Sequence, residues 1–233
     1  MKFLDSFVRL RPCHRARRAA DARFIKPQRE KCPRMPEHVP AWLGKALRNA
    51  RVGHGKLAVA RLGSEDTLHR GGFALRSAAF EDGEALDPSF TADEEDAVAP
   101  PLEWTAPPDG TQELVLLAED PDAPTAEPFC HWLVWGLAPQ QGKLLEGETP
   151  PRVGKNAFGN SEWLLPDPPT GDEPHDYVFQ LFALDAPVTL MPGATRADLE
   201  GAMRGHVIAA AVLTATYERS DEDDLDWGED DGG

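Results

Sequence analysis

Four stretches of the chain carry the apolar patterns typical of β-strands. Residues 113–120 (ELVLLAED) form an apolar run that predicts a strand buried on both faces. Residues 129–137 and 206–219 are rich in aromatic and β-branched side chains, which favour strands. Residues 177–185 alternate, so that successive side chains are expected on opposite faces. A weaker pattern over 73–80 also fits a strand.

Two short stretches have helical spacing instead. Residues 40–50 place Pro40 at the first helical position and group Trp42, Leu43, Ala46 and Leu47 on one face. That face predicts core packing, with an oligomer contact as the alternative. Residues 195–205 begin at Thr195, which caps a helix through Asp198, and end at Gly205.

These elements predict a mostly β (α+β) fold, either a sandwich or a compact mixed sheet, with Pro- and Gly-rich loops such as 81–101. We divide the chain into four parts, which are a basic disordered extension (1–34), an N-terminal helix and connector (35–71), the main domain (72–219) and an acidic disordered tail (220–233). The true start is left open between Met1 and Met35. The basic extension has a second interpretation, an arm for an acidic membrane or partner.

Charge narrows the function. The 233 residues have a formal net charge of -16, and the +8 of residues 1–34 cancels the -8 of residues 220–233. The acidity therefore belongs to the central body, which argues against a nucleic-acid-binding core. No apolar run is long enough for a transmembrane segment, and no secretory signal is visible. Only three cysteines occur, which fits a reducing cytoplasm.

Three clusters carry the candidate chemistry. The first, Asp120 to Pro124, is an acidic turn stiffened by two prolines at a strand end, where the carboxylates either form a site or cap the turn's own amides. The second is Cys130-His131-Trp132. Strand alternation places Cys130 and Trp132 on one face and His131 and Leu133 on the other. The side chains of Cys130 and His131 therefore point apart, and a Cys–His dyad is not expected.

The third cluster is the proline loop Pro166 to Gly171, followed by His175 and Tyr177, which lie two apart and share a strand face. The chain has no nucleophile elbow, phosphate loop or dinucleotide-binding glycine motif. The Asp and His residues lack the tight spacing of a zinc motif, so we expect no metal and no cofactor.

In this order, the clusters resemble the phosphatidylethanolamine-binding protein family, in particular its bacterial Raf kinase inhibitor-like branch. The resemblance runs from about residue 72 to 219. The segments that carry it are AVAPPLEW (97–104), EDPDAP (119–124), HWLVWGL (131–137), GKNAFG (154–159), PDPPTG to HDYVF (166–179) and GHVIAAAVLTATYER (205–219).

The resemblance implies a large antiparallel sheet flanked by a smaller sheet and short helices. It also implies a small cavity for phosphate-like anions, including the phosphoethanolamine headgroup. The residues assigned to ligand binding are Asp120, Asp122, Ala123, Pro124, His131, Pro168, Pro169, His175 and Tyr177. The branch resemblance also favours a homodimer, with the 40–50 helix as a candidate contact.

The chain departs from the family pattern near this cavity. Leu165 stands where relatives carry glycine, and we expect it to narrow the mouth. Asp176 replaces a cation between His175 and Tyr177, which predicts weaker anion affinity.

The sequence thus predicts a cytoplasmic, non-catalytic protein that binds small anionic ligands. One alternative is a hydrolase with Asp120 and His131 as an acid–base pair. The other is a regulator that contacts a kinase or another enzyme, which rests on analogy of fold.

Overall fold

The computed structural model of the chain describes residues 38–150 and 152–219. The predicted basic extension and acidic tail lie outside these residues. The α-helices are α1 (Ala41–Ala46), α2 (Ala58–Leu62) and α3 (Arg196–Met203), and short 3-10 helices occupy Val52–Lys56, Arg70–Gly72 and Pro88–Phe90. The strands are β1 (Leu75–Arg76), β2 (Glu84–Ala85), β3 (Leu102–Trp104), β4 (Glu113–Asp120), β5 (Phe129–Leu137), β6 (Gly142–Leu144), β7 (His175–Leu184) and β8 (Val207–Tyr217).

Within the described residues the strands form two sheets. The large sheet has the order β2-β8-β7-β4-β5, and the small sheet has the order β1-β3-β6. Neighbouring strands are antiparallel except for β2, a two-residue edge strand that runs parallel to β8. The predicted mostly β fold, with a large antiparallel sheet, a smaller sheet and short helices, is confirmed.

The large sheet separates two apolar cores. Alternation along β7 sends Tyr177 and Phe179 into the core that faces the small sheet, and Val178 and Phe182 into the core that faces the helices. Every residue of β4 is buried, as its continuous apolar pattern predicts. The large sheet is therefore covered on both sides, which leaves the ends of its strands as the accessible parts.

The segment before the small sheet belongs to the helix-side core. Leu43 and Leu47 are buried there, and Trp42 and Ala46 pack against them. The apolar face of α1 thus serves core packing, as predicted. The helix is shorter than the predicted 40–50, because Pro40 lies at its N-cap and it ends at Ala46.

Buried polar side chains of the sheet hold α2 in place. Glu119 accepts a hydrogen bond from the backbone N–H of Ala58, and Gln180 accepts one from that of Val59. Arg196 of α3 pairs with the same Glu119. These contacts satisfy N–H groups that the first turn of a helix leaves unpaired. Helix α3 itself begins at the predicted capping box of Thr195 and Asp198.

The register of β5 against β4 contains an irregularity next to His131. Ala118 pairs with Trp132, whereas Glu119 pairs with Cys130, so His131 has no partner of its own. A bulge of this kind interrupts the alternation of side chains. Cys130 consequently lies in the helix-side core with Leu133, while Trp132 lies in the opposite core. We predicted that Cys130 shares a strand face with Trp132, and His131 with Leu133. This prediction is wrong because the bulge interrupts the alternation.

None of the helices among the described residues is long and apolar enough to cross a membrane.

Candidate functional site

The acidic turn after β4 is organised by Asp120. This residue is buried, and its Oδ1 accepts hydrogen bonds from the backbone N–H groups of Asp122 (2.7 Å) and Ala123 (3.0 Å). The carboxylate thereby holds the turn in the way an Asx-turn does, and the adjacent prolines limit its backbone freedom. The amide-capping alternative for this turn is therefore observed, and the second oxygen of Asp120 is not used by the turn.

That second oxygen pairs with His175, the first residue of β7. The Nδ1 of His175 lies 2.8 Å from Oδ2 of Asp120. The hydrogen bond to Asp120 raises the pKa of His175 above its ordinary value of 6.5, and burial opposes it only in part. The folded environment therefore favours the protonated form of this imidazole more than water does.

His131 has the opposite character. It lies at the bulge of β5, and its Nδ1 is 2.7 Å from the backbone carbonyl oxygen of Leu164. Burial lowers the pKa of His131 below its ordinary value of 6.5. The ring packs edge-on against Tyr177, at 5.1 Å between centroids, and near Trp163. His131 is thus a neutral imidazole in an aromatic surrounding.

The three side chains face one cavity of about 280 Å³. Eight of the nine residues assigned from the sequence line it, which are Asp120, Ala123, Pro124, His131, Pro168, Pro169, His175 and Tyr177. The structure adds residues that the sequence interpretation did not assign, which are Thr125, Phe129, Phe158, Leu164 and Asp167. Of these, Phe129 could have been found, because it lies two residues before His131 on the same strand.

The mouth of the cavity carries apolar and charged groups together. Leu165 lines it, at the position where a narrowing was expected, and Phe158 is 70% exposed. Asp167 also lines the cavity, and it forms an ion pair of 2.6 Å with Arg219. Arg219 also pairs with Asp93. The negative charge of Asp167 is therefore partly compensated where an anion would pass.

Asp122 does not line the cavity. Its Oδ2 lies 2.7 Å from Nη2 of Arg51 and accepts a hydrogen bond from the backbone N–H of Asp176. Arg51 belongs to the segment before α2 and lies far away in sequence, so no local pattern shows the pair. The assignment of Asp122 to the ligand pocket is thus not matched by its position.

Asp176 also points away from the cavity. Its Oδ2 lies 3.1 Å from Nη2 of Arg51 and 3.0 Å from Nε2 of His54, which is fully buried. Since His175 and Tyr177 line the cavity, alternation turns the residue between them to the other face of the strand. We expected the negative charge of Asp176 to lie beside the cavity. The structure instead pairs it with Arg51 on the other face of the strand.

The predicted acid–base pair of Asp120 and His131 is not formed. Asp120 bonds His175, and His131 bonds the carbonyl of Leu164. Cys130 is buried in the helix-side core, where burial raises the pKa of its thiol and disfavours the reactive thiolate. Within residues 38–150 and 152–219, no three His, Cys, Asp or Glu side chains are grouped to hold a metal ion.

The fold is mostly β, and a small pocket lined by buried His and Asp side chains lies at the ends of its strands, as in a class of small β proteins with one pocket at the sheet edge. The model of the phosphatidylethanolamine-binding protein family matches residues 76–218. The chain belongs to this family, and its membership supports a role as a binding protein.

Individual relatives agree with this membership. A UPF0098 protein of Pyrococcus horikoshii is 36% identical over 151 residues, which cover 61% of this chain and 75% of the relative. The solved structure of the phosphatidylethanolamine-binding protein homologue CT736 of Chlamydia trachomatis is 34% identical, with a TM-score of 0.59 over 63% of this chain and 97% of that one. YbcL of E. coli, described as a member of the mammalian family, is 27% identical, with a TM-score of 0.58 over 63% and 98%.

Proposed function

We propose that the chain is a non-catalytic binding protein for small anionic ligands of the phosphate or phosphoethanolamine type. The observation that carries the proposal is the buried Asp120–His175 pair in the cavity wall. It supplies a positive imidazolium edge within walls that are otherwise largely apolar and proline-rich. The carboxylate of Asp120 compensates much of this charge, so the attraction of an anion rests mainly on the outer N–H of the ring, in a surrounding that screens it weakly.

The size of the cavity supports a small ligand. A volume of about 280 Å³ holds roughly nine water-sized heavy atoms. That is enough for phosphate or for a headgroup such as phosphoethanolamine, and too little for a whole phospholipid. The walls formed by Pro168 and Pro169 have no backbone N–H to offer, so polar contacts must come from side chains such as those of the two histidines and Tyr177.

A zwitterionic headgroup would use both signs of charge in the pocket. His175 provides the cationic contact for the phosphate, and Asp167 at the mouth provides a carboxylate for the ammonium group.

The geometry also motivates a second candidate function, catalysis, because an imidazole oriented by a carboxylate is the arrangement of a general acid or base. A screen of phosphate and carboxylate esters with wild-type protein and His175→Asn tests this candidate. Turnover that disappears in the variant would replace the non-catalytic role.

Histidine NMR spectra during titration with phosphate and phosphoethanolamine test the proposal. We expect the imidazole signals of His131 and His175 to shift at millimolar ligand. His206 is the matched control, because its Nδ1 also lies 2.8 Å from an aspartate oxygen, that of Asp185, yet the pair is exposed and outside the pocket. Unchanged signals at both pocket histidines would refute anion binding.

A further inference from the structure

The two histidines of the pocket offer opposite hydrogen-bonding atoms. The carbonyl oxygen of Leu164 can only accept, so the Nδ1 of His131 carries the proton of that hydrogen bond. In a neutral imidazole the other nitrogen is then an acceptor. The Nε2 of His131 is buried and has no hydrogen-bond partner among the described residues. A buried polar atom without a partner is uncommon and marks a place where a ligand can supply one.

The surroundings favour the neutral form of His131. Burial lowers its pKa most strongly, and the nearby positive charge of His175 acts in the same direction. The negative charge of Asp120 and the hydrogen bond to Leu164 oppose this lowering. The remaining faces of the ring meet Phe129, Trp163 and Tyr177, none of which is charged at neutral pH.

His175 offers a donor instead. Its Nδ1–H is held by Asp120, and Asp120, Asp122 and Asp172 all favour the protonated ring. The Nε2–H of this imidazolium lies on the other edge of the ring, 3.9 Å from a carboxylate oxygen of the half-exposed Asp172. That distance is too long for a hydrogen bond. The donor of His175 is therefore available to an acceptor in the cavity.

Resting on the proposed function, we propose that the pocket selects anions that still carry a proton, such as the monoanion of a phosphate monoester. The P–O⁻ of that ligand accepts from Nε2–H of His175, and its P–OH donates to Nε2 of His131. His131 is thus the residue that determines specificity. An anion with acceptors only, such as sulfate, would place an oxygen against the lone pair of His131.

Three probes of similar shape separate this inference from anion binding in general. Methyl phosphate has a second ionisation near pH 6, so at about pH 5.5 it is mostly a monoanion with one P–OH. Dimethyl phosphate has the same charge without the proton, and sulfate has two charges without a proton. Histidine NMR of the ligand-free protein first identifies a pH between about 5.5 and 6.5 at which His131 is neutral. Calorimetric titration of the whole chain at that pH should show the methyl phosphate monoanion binding about tenfold more tightly than either of the other two, as expected for one satisfied hydrogen bond.

The variant His131→Asn is designed to remove the acceptor alone. The shorter amide can still donate to the Leu164 carbonyl, but it has no group at the position of Nε2. We expect the preference for methyl phosphate to fall to about one in this variant, while binding of sulfate persists. His206→Asn, outside the pocket, should keep the wild-type preference, and thermal unfolding of both variants checks that they are folded.

The outcomes are distinguishable. Equal binding of the three probes by wild-type protein would refute proton selection and leave the anion pocket standing. If folded His131→Asn still prefers methyl phosphate, a residue other than His131 accepts the ligand's proton, and the role proposed for His131 is refuted. Failure of all three probes to bind would refute the proposed function and this inference together.

Discussion

Asp120 favours the protonated form of His175, and the turn that Asp120 caps holds its carboxylate in position. One oxygen of the carboxylate is held by two backbone N–H groups, and the other faces the imidazole at 2.8 Å. Both residues are largely buried, so the pair is exposed to little competition from water. The charge state of His175 is therefore coupled to the folded state of the chain.

This coupling predicts how stability depends on pH. The pKa of His175 is raised by folding, so the stabilisation is complete below the ordinary value of 6.5 and is lost as the pH rises through the folded value. The variant His175→Asn keeps a donor for Asp120 but carries no charge. We expect it to be less stable than wild type by about 2 kcal/mol at pH 6, with the difference shrinking towards pH 9.

Urea unfolding of both proteins across this pH range measures the effect. His206→Asn removes an exposed His–Asp pair and should change stability by less than about 1 kcal/mol. A difference between wild type and His175→Asn that grows with pH would contradict the assigned charge.

The surroundings of Asp176 could be predicted only in part. That Asp176 faces away from the cavity follows from strand alternation once His175 and Tyr177 are placed in it. Its partner Arg51 lies more than a hundred residues earlier, and no local spacing indicates this pair. Sequence patterns report which face a residue occupies, whereas long-range ion pairs arise from the packing of distant segments.

At the level of elements, the 3-10 helix Val52–Lys56 supports the turn that forms the site. Lys56 donates to the backbone carbonyl of Ala126, and Arg51 donates to Pro174 and Asp122. Gly53 packs so closely on Pro121 that any β-carbon would collide with the Pro121 carbonyl oxygen. This helix and the preceding Arg51 therefore support the turn that follows Asp120 and the residue that precedes His175.

The substitution Gly53→Ala tests this support. The new methyl group must displace the 120–124 turn, so we expect a loss of about 1–3 kcal/mol in unfolding free energy together with weaker phosphate binding. Gly44→Ala is the matched control, because its β-carbon would meet nothing closer than Val39 at 3.8 Å. In helix α1 that change should be neutral or stabilising by up to about 1 kcal/mol. Equal behaviour of the two variants in urea unfolding and calorimetry would rule out this support.

The long elements could be predicted from sequence, and the short ones could not. Strands β4 and β5 have the predicted bounds, and α3 begins at its capping box, because their apolar patterns and caps are local. The predicted strand over 73–80 contains only two strand residues, and β3 and β6 were not predicted. Such short strands exist because a neighbouring strand pairs with them, and a two- or three-residue pattern carries too little signal.

At the level of the whole molecule, residues 38–71 are part of the core although the family match begins at residue 76. Leu43, Leu47, Leu57 and Val59 are almost completely buried there. Burial of four such side chains contributes about 6–12 kcal/mol, which is comparable to the whole stability of about 5–15 kcal/mol of a typical domain. The connector is therefore structurally inseparable from the sheet.

We accordingly expect a truncated chain that begins at residue 72 not to fold cooperatively. Leu43→Ala in the full chain should be an intermediate case, with a loss of about 2–5 kcal/mol. Circular dichroism and thermal unfolding measure both. A truncated chain with a cooperative transition near that of the full chain would contradict this account of the core.

The net charge of -16 says little about the pocket itself. Two of the carboxylates nearest to it are paired with arginines, Asp176 with Arg51 and Asp167 with Arg219. The local field is instead determined by the Asp120–His175 pair and the neutral His131. The proposed anion pocket is in this way compatible with an acidic molecule.

The pKa of His175, measured by histidine NMR with and without millimolar phosphate, tests the central claim most directly. A ligand that binds the imidazolium must raise this pKa, by the linkage between binding and protonation. We predict a rise at His175 and none at His206. An unchanged or lowered pKa at His175 in saturating phosphate would contradict the proposed anion-binding pocket.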